Sequence, residues 1–95
     1  MTIDKSSRYE RDIKKLIKSH TLSREAIEAT EQLFIKDPLS PSLRYHQIKC
    51  KKDKNRYSIT VPNTQYRILI TVIGSEAYFN TILNHKSYDR INKDC

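Results

Sequence analysis

The chemically richest stretch of the chain reads Asn84-His85-Lys86-Ser87-Tyr88-Asp89-Arg90. It gathers an imidazole, two cations, a phenol and a carboxylate within a few positions. An imidazole can take or give a proton near neutral pH, which makes His85 a candidate general base or acid. Lys86 and Arg90 are candidate phosphate contacts. A second signal lies upstream at Arg67, inside the run Tyr66-Arg67-Ile68-Leu69-Ile70-Thr71-Val72-Ile73. A guanidinium in such an apolar run needs a partner or a ligand, because an unpaired buried charge is very costly. Its planar fork suits phosphate oxygens, so phosphate binding beside proton transfer is the chemistry these types can do.

The elements that must hold these groups follow from periodicity. Tyr57-Ser58-Ile59-Thr60-Val61 alternates apolar and small polar residues and predicts a half-buried strand. Pro62-Asn63-Thr64 is a turn. Tyr66 to Ile73 is continuous and β-branched, as expected of a central strand covered on both faces. Gly74-Ser75 turns the chain into another strand, Ala77 to Leu83. The reactive cluster therefore begins where a strand ends, and from Lys86 a short tail follows that could be helical.

The N-terminal half is helical by pattern. Tyr9, Ile13, Leu16 and Ile17 form one apolar stripe, with Ser6 or Ser7 as N-cap. Arg8, Arg11, Lys14, Lys15 and Lys18 occupy the opposite face. Ser23 caps a second helix whose stripe is Ala26, Ile27, Thr30, Leu33 and Phe34, with Glu25, Glu28 and Glu31 expected on its exposed face. The two helices could pair as a hairpin, basic face near acidic face. Asp37-Pro38 ends the second helix. Thr2-Ile3 could add a short edge strand. After a linker over 39–42, Leu43 to Ile48 reads as a strand, and Lys49 to Asn55 as a mobile basic tip. The expected architecture is a single α+β domain over residues 1–95. Two N-terminal helices pack on a four-stranded, mostly antiparallel twisted sheet, and a short tail closes the chain.

Composition narrows the function classes. The chain has 95 residues, 37% hydrophobic and 31% charged, enough for one modest core. No apolar run is long enough for a transmembrane helix, so no membrane partner is expected, and the absence of an apolar leader predicts a cytoplasmic protein. Cys50 and Cys95 are expected to be free thiols. His20, His46 and His85 lack metal-ligand spacing, and neither a metal nor another cofactor is expected. Net charge is +7, and residues 42–95 carry ten Lys/Arg against four Asp/Glu, a balance of +6. The basic half is thus the sheet half, which suits nucleic acid or an acidic protein. A solvated surface kept soluble by charge would have the same composition.

Several of these segments together resemble a known family. Pro41-Ser42-Leu43-Arg44-Tyr45, the aromatic-Ser strand at Tyr57-Ser58, Tyr66-Arg67, and His85-Lys86-Ser87-Tyr88-Asp89 occur in the order of the RelE/ParE superfamily, small toxins of bacterial type II toxin–antitoxin modules. The resemblance covers roughly residues 7–92. It implies helices packed on one face of a twisted antiparallel sheet and an acidic antitoxin partner that covers the basic face. Many relatives are ribonucleases that cut mRNA on the ribosome, whereas others poison DNA gyrase or have lost activity.

Metal-free RNA cleavage needs a base for the 2′-hydroxyl, cations for the scissile phosphate and an acid for the leaving oxygen. The resemblance implies that Arg67 holds the phosphate and that Tyr88 contacts substrate or leaving group. His85 would move the proton, with His46 as a second proton-transfer candidate. Each has a structural alternative: Arg67 paired with Asp89, His85 ordering the tail, Tyr88 packing with Ile91. Asp89 is expected to pair with Arg67 rather than orient His85. Lys49, Lys51, Lys52, Lys54 and Arg56 would grip RNA phosphates without reading sequence. Tyr45, Tyr57 and Tyr66 could stack bases, though aromatic residues on strands are more often core. One departure stands out: the best-studied ribonuclease branch carries lysines where Ser58 and Thr60 stand here.

Overall fold

In the computed structural model, which describes residues 1–93, the chain forms three helices and one five-stranded sheet. The elements run β1 (Thr2–Lys5), α1 (Ser7–Lys18), α2 (Arg24–Lys36), a 3₁₀ turn (Pro41–Leu43), β2 (His46–Gln47), β3 (Arg56–Thr60), β4 (Arg67–Ile73), β5 (Glu76–Leu83) and α3 (His85–Asn92). The sheet order is β1-β5-β4-β3-β2. All neighbours are antiparallel except β1 and β5, which run parallel with Ile3 opposite Ala77.

The expectation of four strands is corrected to five in a mixed sheet. β1 is weakly written because it is short and largely solvated, with only Ile3 half-buried. What recruits it is the open edge of β5, whose backbone groups would otherwise lack partners. The strand expected over 43–48 shrinks to His46–Gln47, because Pro41–Leu43 winds into a 3₁₀ turn and Arg44 adopts the left-handed conformation, φ 50°.

The helices form where capping and periodicity coincide. Ser6 Oγ accepts from the Tyr9 N–H at 2.9 Å, and Ser23 Oγ accepts from that of Ala26 at 3.0 Å. Both helices press their stripes onto one face of the sheet. Tyr9, Ile27 and Phe34 meet Ile59, Ile68, Ile70 and Phe79, all almost fully buried. Each such side chain contributes on the order of 1.5–3 kcal/mol when removed from water. Edge-to-face ring pairs, Tyr9–Phe79 at 5.3 Å and Phe34–Phe79 at 5.7 Å, set the centre of this core.

Glu31 departs from its expected place on the exposed face of α2. It is 5% exposed, accepts a 2.8 Å hydrogen bond from the Tyr9 hydroxyl and lies 3.1 Å from Lys5 Nζ. A buried carboxylate is tolerable only with such partners. Among the described residues this hydrogen bond, and no ion pair, joins α1 to α2 in place of the expected meeting of charged faces. Burial, then the Glu31 charge and its hydrogen bond, pushes the Tyr9 phenol far above its ordinary range.

α3 turns onto the opposite face, the side to which Arg67 points as its neighbour Ile68 enters the core. Cys50 is buried and disulfide-bonded, which corrects the free-thiol expectation there; the expectation for Cys95 lies outside the described residues.

Candidate phosphate-binding cleft

An open cleft of about 880 Å³ lies where three elements meet at one end of the sheet. One wall is the connection from β3 to β4. Pro62 and Asn63 occupy the central positions of a tight turn, and Asn63 takes φ 65°, which Asn tolerates after a Pro that presets its own φ. Four hydrogen bonds lock this turn. The Thr64 N–H and Oγ1 both donate to the Val61 carbonyl, at 3.1 and 2.8 Å, the Tyr66 N–H donates to Thr64 Oγ1 at 3.0 Å, and the Val61 N–H donates to the Tyr66 carbonyl at 3.0 Å.

The facing wall is the 3₁₀ turn. Leu43 is fully buried and anchors it. The left-handed Arg44 then reverses the chain, and its side chain lines the cleft beside Pro41 and Ser42. His46 Nδ1 sits 2.7 Å from the Arg44 carbonyl, which engages that ring nitrogen in holding the bend. Thr60 and Arg67, direct cross-strand partners, form the floor. His85, first residue of α3, completes the ring of groups; the Asn84 side chain caps that helix by accepting from the Ser87 N–H at 2.9 Å.

Arg44, Arg67 and His85 thus converge on one hollow, and among the described residues no carboxylate lines it. The Arg67 guanidinium carbon stands 4.8 Å from the centre of the Tyr88 ring, a cation–π contact that holds the fork without neutralising it. Among the described residues no carboxylate is ion-paired with Arg67, so the expected Asp89 partnership is not formed. Asp89 Oδ2 lies instead 3.2 Å from His85 Nε2. The reason is helical spacing: residues four apart share a face of α3. With Nε2 turned to Asp89, Nδ1 is the ring nitrogen left for a ligand.

The remaining expected site residues lie elsewhere. Tyr88 is 7% exposed beneath Arg67, so it positions the guanidinium rather than opening to solvent. His46 is exposed on β2, outside the lining of the cleft. Lys49, Lys51 and Lys54 border a separate depression of about 540 Å³, and Lys52 is exposed beside them. Two hydrogen bonds close the base of their loop. Gln47 Nε2 donates to the Lys54 carbonyl at 2.6 Å, and the Ile48 N–H donates to the Arg56 carbonyl at 2.8 Å. Arg56 is engaged with Asp53 at 3.7 Å and with Asn92 Oδ1 at 3.2 Å, joining β3 to the end of α3. Lys86 and Arg90 are exposed on α3.

Tyr45 stacks on Tyr57 at 5.2 Å and meets Phe34 edge-on at 5.3 Å, a structural use of these rings. Burial, then the neighbouring Tyr57, raises the Tyr45 phenol above its ordinary range. Ser58 is fully buried, and only Thr60 of that strand's small polar pair reaches the cleft. Arg44, Asn63 and Gln65 also line the cleft, although no sequence signal marked them as site residues. Pro62-Asn63 was legible as a turn, but nothing local to Arg44 announces a left-handed bend. Among the described residues no group of three or more His, Cys, Asp or Glu could hold a metal ion. No described helix is long and apolar enough to cross a membrane.

Comparison with known proteins places the fold. No protein-family model matches the chain, and no curated protein sequence does either. Solved structures do. The chain is similar to YafQ in the Escherichia coli DinJ–YafQ complex, at 15% identity and a TM-score of 0.71, covering 90% of this chain and 93% of that one. It is similar to a metal-bound toxin from Helicobacter pylori, at 14% identity and a TM-score of 0.70, covering 92% and 97%. It is also similar to a YoeB/ParE toxin from Agrobacterium tumefaciens, at 14% identity and a TM-score of 0.68, covering 90% and 99%. The chain therefore has the RelE/ParE toxin fold.

Proposed function

We propose that this RelE/ParE-fold chain is the toxin of a bacterial type II toxin–antitoxin module, and that it acts in the cytoplasm as a ribosome-dependent mRNA endonuclease. The observation that carries the reading is the cleft itself. An unneutralised guanidinium on a sheet strand and a carboxylate-oriented imidazole line one hollow wide enough for a nucleotide.

The mechanism follows from those groups. Arg67, with Arg44 across the cleft, donates to the non-bridging oxygens of the scissile phosphate and to the charge that grows on them. His85 Nδ1 takes the proton of the 2′-hydroxyl while Asp89 holds the Nε2–H and stabilises the imidazolium that forms. The 2′-oxygen bonds to phosphorus, the bond to the 5′-oxygen breaks, and that oxygen takes a proton from water at the open mouth. The products are a 2′,3′-cyclic phosphate and a 5′-hydroxyl. Tyr88 keeps the guanidinium in place. Lys49, Lys51, Lys52 and Lys54, with Lys86 and Arg90, supply exposed positive charge for ribosomal RNA. The basic half suits an acidic antitoxin, and the similar YafQ is found in a DinJ–YafQ toxin–antitoxin complex.

One observation favours a second reading, a non-nuclease of the same fold whose target is DNA gyrase or whose only partner is the antitoxin. β3 brings Thr60 and no cation to the cleft, and Ser58 is buried away from it. Induced expression followed by primer extension on mRNA separates the two. Discrete cuts that disappear in Arg67→Ala support the nuclease. Growth arrest with intact mRNA and accumulated gyrase–DNA cleavage complexes would replace it with the second reading.

A further inference from the structure

The two walls of the cleft differ in kind. Among the described lining residues, Arg44 and Arg67 supply the fixed charge and His85 an imidazole, whereas the β3–β4 turn presents neutral side chains, Asn63, Thr64 and Gln65, flanked by Pro62. A neutral wall can donate hydrogen bonds to a phosphate but adds no charge to hold it. Thr64 spends its hydroxyl inside the turn. The side-chain amides of Asn63 and Gln65 make no hydrogen bond or ion pair among the described residues, and both residues are exposed. They stand on a connection closed by four hydrogen bonds, so the backbone that carries them is set before any ligand arrives.

We infer that the β3–β4 turn is a base-reading element, in which Gln65 and Asn63 hydrogen-bond the edge of the nucleobase next to the phosphate held by Arg44 and Arg67. This rests on the reading of the cleft as an RNA site and adds its specificity. A carboxamide offers a donor and an acceptor side by side, the pattern that matches a base edge and that a phosphate does not require. Single-stranded RNA exposes those edges. A cavity of about 880 Å³ has room for a nucleotide whose phosphate meets Arg44 and Arg67 while its base lies against the turn. A pre-set turn loses little conformational freedom on binding, so its hydrogen bonds discriminate between bases rather than ordering a loop.

Fluorescence anisotropy with the labelled trinucleotides UpApU, UpCpU, UpGpU and UpUpU tests this on the full chain. Wild type is expected to bind the best central base about tenfold more tightly than the worst, the range of one good bidentate pair. Gln65→Ala combined with Asn63→Gly, in which glycine keeps φ 65° accessible, is expected to compress that spread to about threefold or less. Arg67→Ala is expected to weaken all four probes alike. A wild-type spread under about twofold, a spread unchanged in the double variant, or no measurable binding of any probe overturns the inference. Primer extension reads the nuclease separately: base-selective binding without mRNA cuts sinks the nuclease and leaves the reader standing. Cuts with an unbiased profile do the reverse.

Discussion

Replacing Arg67 by alanine separates folding from function because the side chain does different things for each. For folding, its described contact is the one with Tyr88 at 4.8 Å, on a half-buried strand end. A cation–π contact of that exposure contributes roughly 0.5–1 kcal/mol. For cleavage, the guanidinium faces developing phosphate charge, and removing one such donor slows the reaction by roughly 10²–10³-fold, or about 2.7–4 kcal/mol. The cost to catalysis therefore exceeds the cost to stability severalfold. Arg67→Ala should keep a cooperative urea transition shifted by no more than about 1 kcal/mol, while single-turnover mRNA cleavage on ribosomes nearly vanishes. Arg67→Lys should fall between, since it keeps charge but loses the planar fork. A rate within about threefold of wild type for Arg67→Ala, with the fold intact, would remove this residue from the chemistry and leave the cleft without its phosphate anchor.

Asp89→Asn should slow cleavage only about fivefold, because the His85–Asp89 pair is more than half exposed on both sides and such pairs contribute at most about 1 kcal/mol; a loss as large as that of Arg67→Ala would mean Asp89 touches substrate. Glu31→Ala should lower urea stability by about 1–3 kcal/mol, since it leaves the buried Tyr9 hydroxyl without its acceptor. The raised Tyr9 phenol also makes stability fall with alkali. The folded chain keeps that proton while the unfolded chain releases it above about pH 10, so the Tyr9 contribution is present below that pH and lost above it. Tyr9→Phe should flatten the alkaline limb of a stability–pH curve, and an unchanged limb would point to other groups. Lys51→Ala with Lys52→Ala should reduce the slope of log affinity for ribosomes against log salt by about 0.7–0.9 for each phosphate no longer neutralised; an unaltered slope would assign the loop no such role.

Much of this was legible from local pattern. Ser6 or Ser7 and Ser23 announced the two helices, the stripes of α1 and α2 named Tyr9, Ile27 and Phe34, and the run from Tyr66 to Ile73 named the central strand. These signals read well because capping and periodic burial act over a few residues. The misses share the opposite cause. Glu31 looked exposed by charge, yet Tyr9 and Lys5, distant along the chain, make its burial tolerable. Thr2-Ile3 was legible as a short edge strand, but its parallel docking on the open edge of β5 was not, because β5 lies more than seventy residues on. The bend at Arg44 comes from the packing of Leu43 against the core, which a six-residue alternation cannot reveal.

The chain's residues on their own determined which groups were available: a lone guanidinium in an apolar strand, a histidine four residues before an aspartate, and a surplus of cations in the second half. Only the three-dimensional arrangement decided their pairing. Both spacing and chemistry allowed Asp89 to neutralise Arg67 or to orient His85. The start of α3 settles the choice, because it places Tyr88 under the guanidinium and turns the carboxylate along its own helix toward the imidazole. A long-range contact of that kind depends on how a helix docks on a sheet, and docking is a property of the whole core rather than of any short stretch.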